Sequence, residues 1–180
     1  FITESYFKNG YNIKEILRDL FKSEHFRSEE IYNKRIKSPS ELVVNSVRLS
    51  GGFDIPSEEV YQATISSGLM GQPLLNPTSV EGWQGGEEWI NTGSVMQRIN
   101  FCSDVLGNPE KTLVQNIVNK TPDKENILNI CCDELGYIEL HSSTKEALND
   151  YIQEDEFKIN KEFISILIKL IVSSREYQMV

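Results

Sequence analysis

Apolar residues recur along this chain at the spacing of a helix face, and no stretch alternates with the period of two that a half-buried strand requires. The clearest case is the run Phe163, Ile164, Leu167, Ile168, Ile171 and Val172, preceded by Asn160 as a cap. Its apolar face is wide, so Lys158–Val172 is expected to lie centrally or to cover the core. Ile13, Ile16, Leu17, Leu20 and Phe21 mark another face. Ser38-Pro39 reads as a cap followed by a first-turn proline, continued by Leu42, Val43, Ser46, Val47 and Leu49. Ser57-Glu58-Glu59 opens a further helix, with its acids at the positive end of the dipole. Asn108-Pro109 and Thr121-Pro122 repeat the cap-then-proline signal, and Ser143 to Glu146 reads as a capping box. Ile31–Ile36 reads as a short extended connector. The pattern predicts an all-α globular fold of about eight helices.

At 180 residues, 39% apolar and 25% charged, the chain has ordinary globular composition, and a single helical domain over 1–180 is expected. The longest apolar run is interrupted by Ser165 and Lys169, too short a stretch to span a membrane, so no membrane insertion is expected. The first residues, Phe1-Ile-Thr-Glu, resemble no signal peptide and include no initiator Met, so the chain is expected to start inside a longer protein.

Lys and Arg number 18 against 27 Asp and Glu, a formal charge of −9. The imbalance concentrates over 121–180, with 6 basic and 12 acidic residues. Nucleic-acid backbones and anionic membrane surfaces select for basic clusters, and both are disfavoured as partners. The basic run Lys34-Arg35-Ile36-Lys37 is too short to reverse that. Three cysteines, Cys102, Cys131 and Cys132, form no disulfide framework, and with His25 and His141 far apart they offer no zinc spacing. They read as small buried apolar side chains. No metal and no cofactor is expected.

Residues 68–93 depart from the helical pattern. They hold six of the eleven glycines, together with Pro73, Pro77 and both tryptophans, Trp83 and Trp89. A loop this long in a compact domain is commonly functional. Leu74, Leu75, Val80, Ile90 and the indoles give it anchors, so it is expected to be ordered and irregular, with Asn91-Thr92-Gly93-Ser94 capping the next helix. Three readings stay open: stacking of sugars on the indoles, docking of a protein partner, and indoles serving only as anchors of the loop. Gly82-Trp83-Gln84-Gly85-Gly86 follows no nucleotide-binding pattern.

Specific motifs connect the loop to the rest of the chain. They are Met70-Gly71-Gln72-Pro73-Leu74-Leu75, Gly82-Trp83, Gly85-Gly86, Trp89-Ile90-Asn91 and Arg98-Ile99-Asn100-Phe101, with Lys37-Ser38-Pro39 and Glu41-Leu42-Val43-Val44 upstream. With the closing Ser174-Arg175-Glu176-Tyr177-Gln178, they make the chain resemble the bacterial domain-of-unknown-function family 1800 from about Leu17 to its end. Thr78, Gln84 and Arg175 stand where that family's pattern has turn-stiffening prolines. The resemblance implies the C-terminal part of a longer, exported protein, periplasmic or secreted, that acts with a protein partner. It names no reaction.

Candidate chemistry is sparse. No nucleophile elbow or zinc-protease motif is present, and two histidines leave few general bases near neutral pH. His25 reads as packing or capping, His141 as solvated, and Glu154-Asp155-Glu156 as a solvated turn. Glu87-Glu88 is a carboxylate pair in the loop. Arg48 and Arg98 each lie in a largely apolar helix and are expected to hold the glycine loop by its carbonyls, to clamp an anion, or to lie exposed at the surface. The candidate ligand or partner contacts are Arg48, Gln72, Trp83, Trp89, Asn91 and Arg98. Three functions stay open: an interaction or scaffold module, part of a hydrolase-like enzyme with catalytic groups outside this chain, and carbohydrate binding through Trp83 and Trp89.

Overall fold

The computed structural model describes residues 1–53, 55–120, 123–153 and 158–180. Among these residues there are nine α-helices and no strand longer than an isolated bridge, as the periodicity predicts. The expected Thr121-Pro122 signal and the turn at Glu154–Glu156 lie outside the described residues. The chain divides into two compact units, Phe1–Arg35 with Val180, and Ile36–Met179.

The first unit holds α1 (Ile2–Lys8) and α2 (Ile13–Lys22), packed on each other. Asn12 caps α2 through Lys14 N–H at 3.1 Å, and Ser5 Oγ donates to Asp19 Oδ2 at 2.6 Å between the helices. The apolar stripe foreseen on α2 forms, yet no residue of that helix is fully buried. His25 lies exposed in a single 3-10 turn, and Arg35 exchanges two backbone hydrogen bonds with Val180.

The second unit is built on α3 (Pro39–Leu49), α4 (Glu58–Leu69), α5 (Thr92–Leu106), α6 (Thr112–Asn119), α7 (Ile127–Glu134), α8 (Ser142–Gln153) and α9 (Lys161–Val172). Helix α9 packs against α5, α6 and α7 and buries seven residues, so the widest apolar face in the sequence does become the centre of the core. Helix α5 bridges α9 to α3. Short-range caps form where the sequence places them. Ser38 and Glu41 make a reciprocal box on α3, Ser57 caps α4, and Asn160 accepts from Phe163 N–H at 2.8 Å on α9.

Two starts differ. Asn108 Oδ1 accepts from Glu110 N–H and makes a turn, and α6 begins only at Thr112. Helix α8 begins at Ser142, not beyond Ser143. His141 Nδ1 accepts from Ser143 N–H, while the Glu176 carboxylate accepts from His141 N–H at 2.9 Å and Thr144 Oγ1 at 2.8 Å. Cys102, Cys131 and Cys132 are free thiols buried in the core. Ser165 and Lys169, which interrupt the apolar run, fit the packing: Ser165 Oγ donates to Gly107 O, and the Lys169 stem lies where a Gly107 side chain would stand.

Candidate functional site

The glycine-rich segment runs irregularly from the end of α4 to Asn91, apart from one 3-10 turn at Gly86–Trp89. It is pinned at both ends by its own polar groups. At the start, Gln72 Oε1 accepts from Ser40 N–H on α3 at 2.9 Å, and Gln72 O accepts from Ser67 Oγ on α4 at 2.9 Å. At the return, Asn91 Oδ1 accepts from Ser94 N–H at 3.0 Å and Ser94 Oγ donates to Trp89 O at 2.7 Å, which caps α5. Trp83 Nε1 donates to Pro73 O at 2.8 Å, drawing the middle of the loop onto its start. The Trp89 indole lies between Gly71 and Gly85, where side chains would meet its two ends at 3.5 and 3.9 Å. Both indoles therefore anchor the loop, and Trp83 stays 38% exposed.

What these anchors hold outward is apolar. Leu75 is 96% exposed, and its φ of 61° lies in the left-handed region that a leucine rarely adopts. Val80 is wholly exposed beside the small turn closed by Gly82 N–H on Ser79 O. Two cavities flank this loop. One, of about 400 Å³, is polar and carries Gln84, Glu88, Asn91 and Gln97. The other, of about 380 Å³, is an apolar groove between α3 and α4, with Leu74 on one wall and Arg48 at the rim.

Of the six candidate residues, Gln72, Trp83, Trp89 and Asn91 thus share the loop, while Arg48 belongs to the groove. Arg98 stands elsewhere. The expectation that it clamps the glycine loop is corrected here: it is fully buried, with Nε donating to Gln178 Oε1 at 2.9 Å and Nη2 to Lys37 O at 2.7 Å. The helical spacing of Ser94, Arg98 and Cys102 turns it toward α3 and not back along the loop. Arg48 is exposed and reaches no loop carbonyl.

The sequence profile of the family described as "Protein of unknown function (DUF1800)" matches residues 2–179. The chain belongs to that family. In this DUF1800 chain the match starts ahead of Leu17, where the motifs alone placed it, and takes in α1. Comparison with curated proteins and with solved structures returns no match.

The DUF1800 core holds a polar cluster that sequence reasoning missed. Lys37 is buried, donates from Nζ to Tyr177 O at 2.7 Å, and lies 4.3 Å above the Tyr177 ring. Tyr177 Oη and Cys102 Sγ flank Ser46 Oγ at 3.4 and 3.5 Å. Burial lowers the pKa of both Lys37 and Arg98. It raises the Cys102 thiol to about 11 despite Ser46, Arg98 and Lys37, and it raises the Tyr177 phenol as well. Burial thus keeps the Cys102 thiol neutral and a poor nucleophile. The available signal was Lys37 standing one residue before the cap of an apolar helix; its partners are 140 residues away, beyond any local pattern.

Proposed function

We propose that this chain is an interaction module of an exported bacterial protein, and that the tip of the glycine loop docks a protein partner. The observation that carries the reading is Leu75: an apolar side chain held almost entirely in water by a backbone conformation that costs a leucine about 1–2 kcal/mol. A solvated loop would relax both penalties, whereas a partner that buries the side chain would repay them. Val80 supplies a second anchor, and the loop's internal bonds from Trp83, Gln72 and Asn91 keep the tip preorganised, which lowers the entropy lost on docking. The exported setting and a longer parent chain are part of the same proposal and rest on the family resemblance. The polar cavity beside the loop supports saccharide binding as a second reading through Gln84, Asn91 and Gln97; both indoles are engaged within the loop, and Trp83 alone keeps an exposed part.

A photo-crosslinking side chain placed at Leu75 or Val80 is expected to capture one protein species in the native bacterium, and the same group at exposed Asp150 is not. Leu75→Gly should abolish the capture while raising stability by about 1 kcal/mol as the strain is released. Adducts that are absent, or identical at Asp150, would sink the reading.

A further inference from the structure

We infer that the groove between α3 and α4 is a binding site for a small amphiphilic carboxylate, with its chain among the valines and its head on Arg48. The inference is independent of the loop-tip reading. The cavity, about 380 Å³, falls within the range of small-molecule sites, and its walls are Val43, Val44 and Val47 from α3, Val60 and Ala63 from α4, and Phe53. The Phe53 wall is braced by Lys111, whose Nζ lies 4.9 Å from the ring centroid and 3.3 Å from Glu59.

The polar groups decide the ligand class. Four polar side chains line the groove: Ser40, Thr64, Ser67 and Arg48. Thr64 Oγ1 donates to Val60 O at 3.1 Å, Ser67 Oγ to Gln72 O at 2.9 Å, and the Ser40 hydroxyl lies 3.3 Å from that of Ser67. Each of the three hydroxyls already has a partner inside the protein. Arg48 alone pairs with no described residue and brings a full positive charge and a planar fork to the rim. A polar polyhydroxylated ligand would lose its water bonds against the valines without replacement. A neutral apolar ligand would leave the guanidinium unused. An alkyl chain ending in one carboxylate fits both parts, since carboxylates pair with the fork in two parallel bonds.

The probe is octanoate below its micelle concentration, titrated calorimetrically against octanol on the intact chain. Octanoate is expected to bind saturably and about fivefold more tightly than octanol at low salt, as a rim-exposed ion pair allows. Raised salt should shrink that preference. Arg48→Gln should bring octanoate down to the affinity of octanol and leave octanol unchanged. Thr64→Trp, at an exposed position on the groove, should weaken both. Equal binding of the two probes, no saturable binding, an octanoate affinity indifferent to Arg48→Gln, or full binding by a folded Thr64→Trp chain would each overturn the inference. Arg48 is exposed and its replacement leaves the core untouched, so its outcome holds even if Thr64→Trp fails to fold.

Discussion

Four titratable acids are buried where their ionised forms are penalised: the three thiols and the Tyr177 phenol. Burial lifts Cys102 and Cys132 from 9.0 to about 11 each, and lifts Cys131 further. Above pH 9 the unfolded chain releases these protons while the folded chain keeps them. The folded state then binds more protons, and stability falls as pH rises. Lys37 acts in the opposite sense, because its ammonium is the disfavoured form inside the fold and the unfolded chain holds that proton longer, up to about 10.5. One lysine is outnumbered by four acids. The urea midpoint is therefore expected to drop between pH 9 and 11, with Cys102 and Cys132 each supplying a loss on the order of 2 kcal/mol by pH 11. Replacing both by Ala should flatten part of the drop, and a level wild-type profile across that range would contradict the assignment. At neutral pH the same burial should keep all three thiols silent to a disulfide reagent until the chain unfolds.

Helix ends show what local sequence can and cannot specify. Ser38, Ser57, Asn91 and Asn160 were legible as caps because each bonds to a backbone N–H three residues ahead, a relation contained in one short window. Helix α1 was missed because it is short and its N-cap, Phe1, makes no side-chain bond. The start of α8 was misplaced because its carboxylate, Glu176, lies 35 residues downstream of His141. The candidate site divides the same way. The loop and its anchors stand out in composition, while the groove at Arg48 needs two helices side by side. One approach between elements is directly testable. After α3, Gly51 takes φ 111°, and a Cβ there would lie 2.7 Å from Thr112 Oγ1 on the first residue of α6. Gly52 takes φ 80° with nothing within 4 Å. Gly51→Ala should cost about 3 kcal/mol from strain and clash together, and Gly52→Ala about 1–2 kcal/mol from strain alone. Equal losses in chemical denaturation would disprove the close approach of α3 and α6.

At the scale of the second unit, Arg98 joins segments that the chain order keeps far apart. Its guanidinium reaches Lys37 O, 61 residues upstream, and Gln178 Oε1, 80 residues downstream, while Gln178 Nε2 donates to Val172 O at 3.1 Å. Arg98→Met should cost about 1–3 kcal/mol for the acceptors left unpaired. Removing Tyr177–Val180 should cost more, because Lys37 and Arg98 both lose acceptors while remaining inside. Arg98→Met placed in the shortened chain should then recover stability, so that the two changes are strongly non-additive by thermal unfolding; simple addition would refute the coupling. Here two acceptors that make the interior cations tolerable, Tyr177 O and Gln178 Oε1, lie far along the chain from helices α3 and α5, so the charges on Lys37 and Arg98 are satisfied only when that distant segment docks. A unit closed in this way is expected to open all at once, since the docking of one short segment decides whether two buried cations are satisfied or stranded.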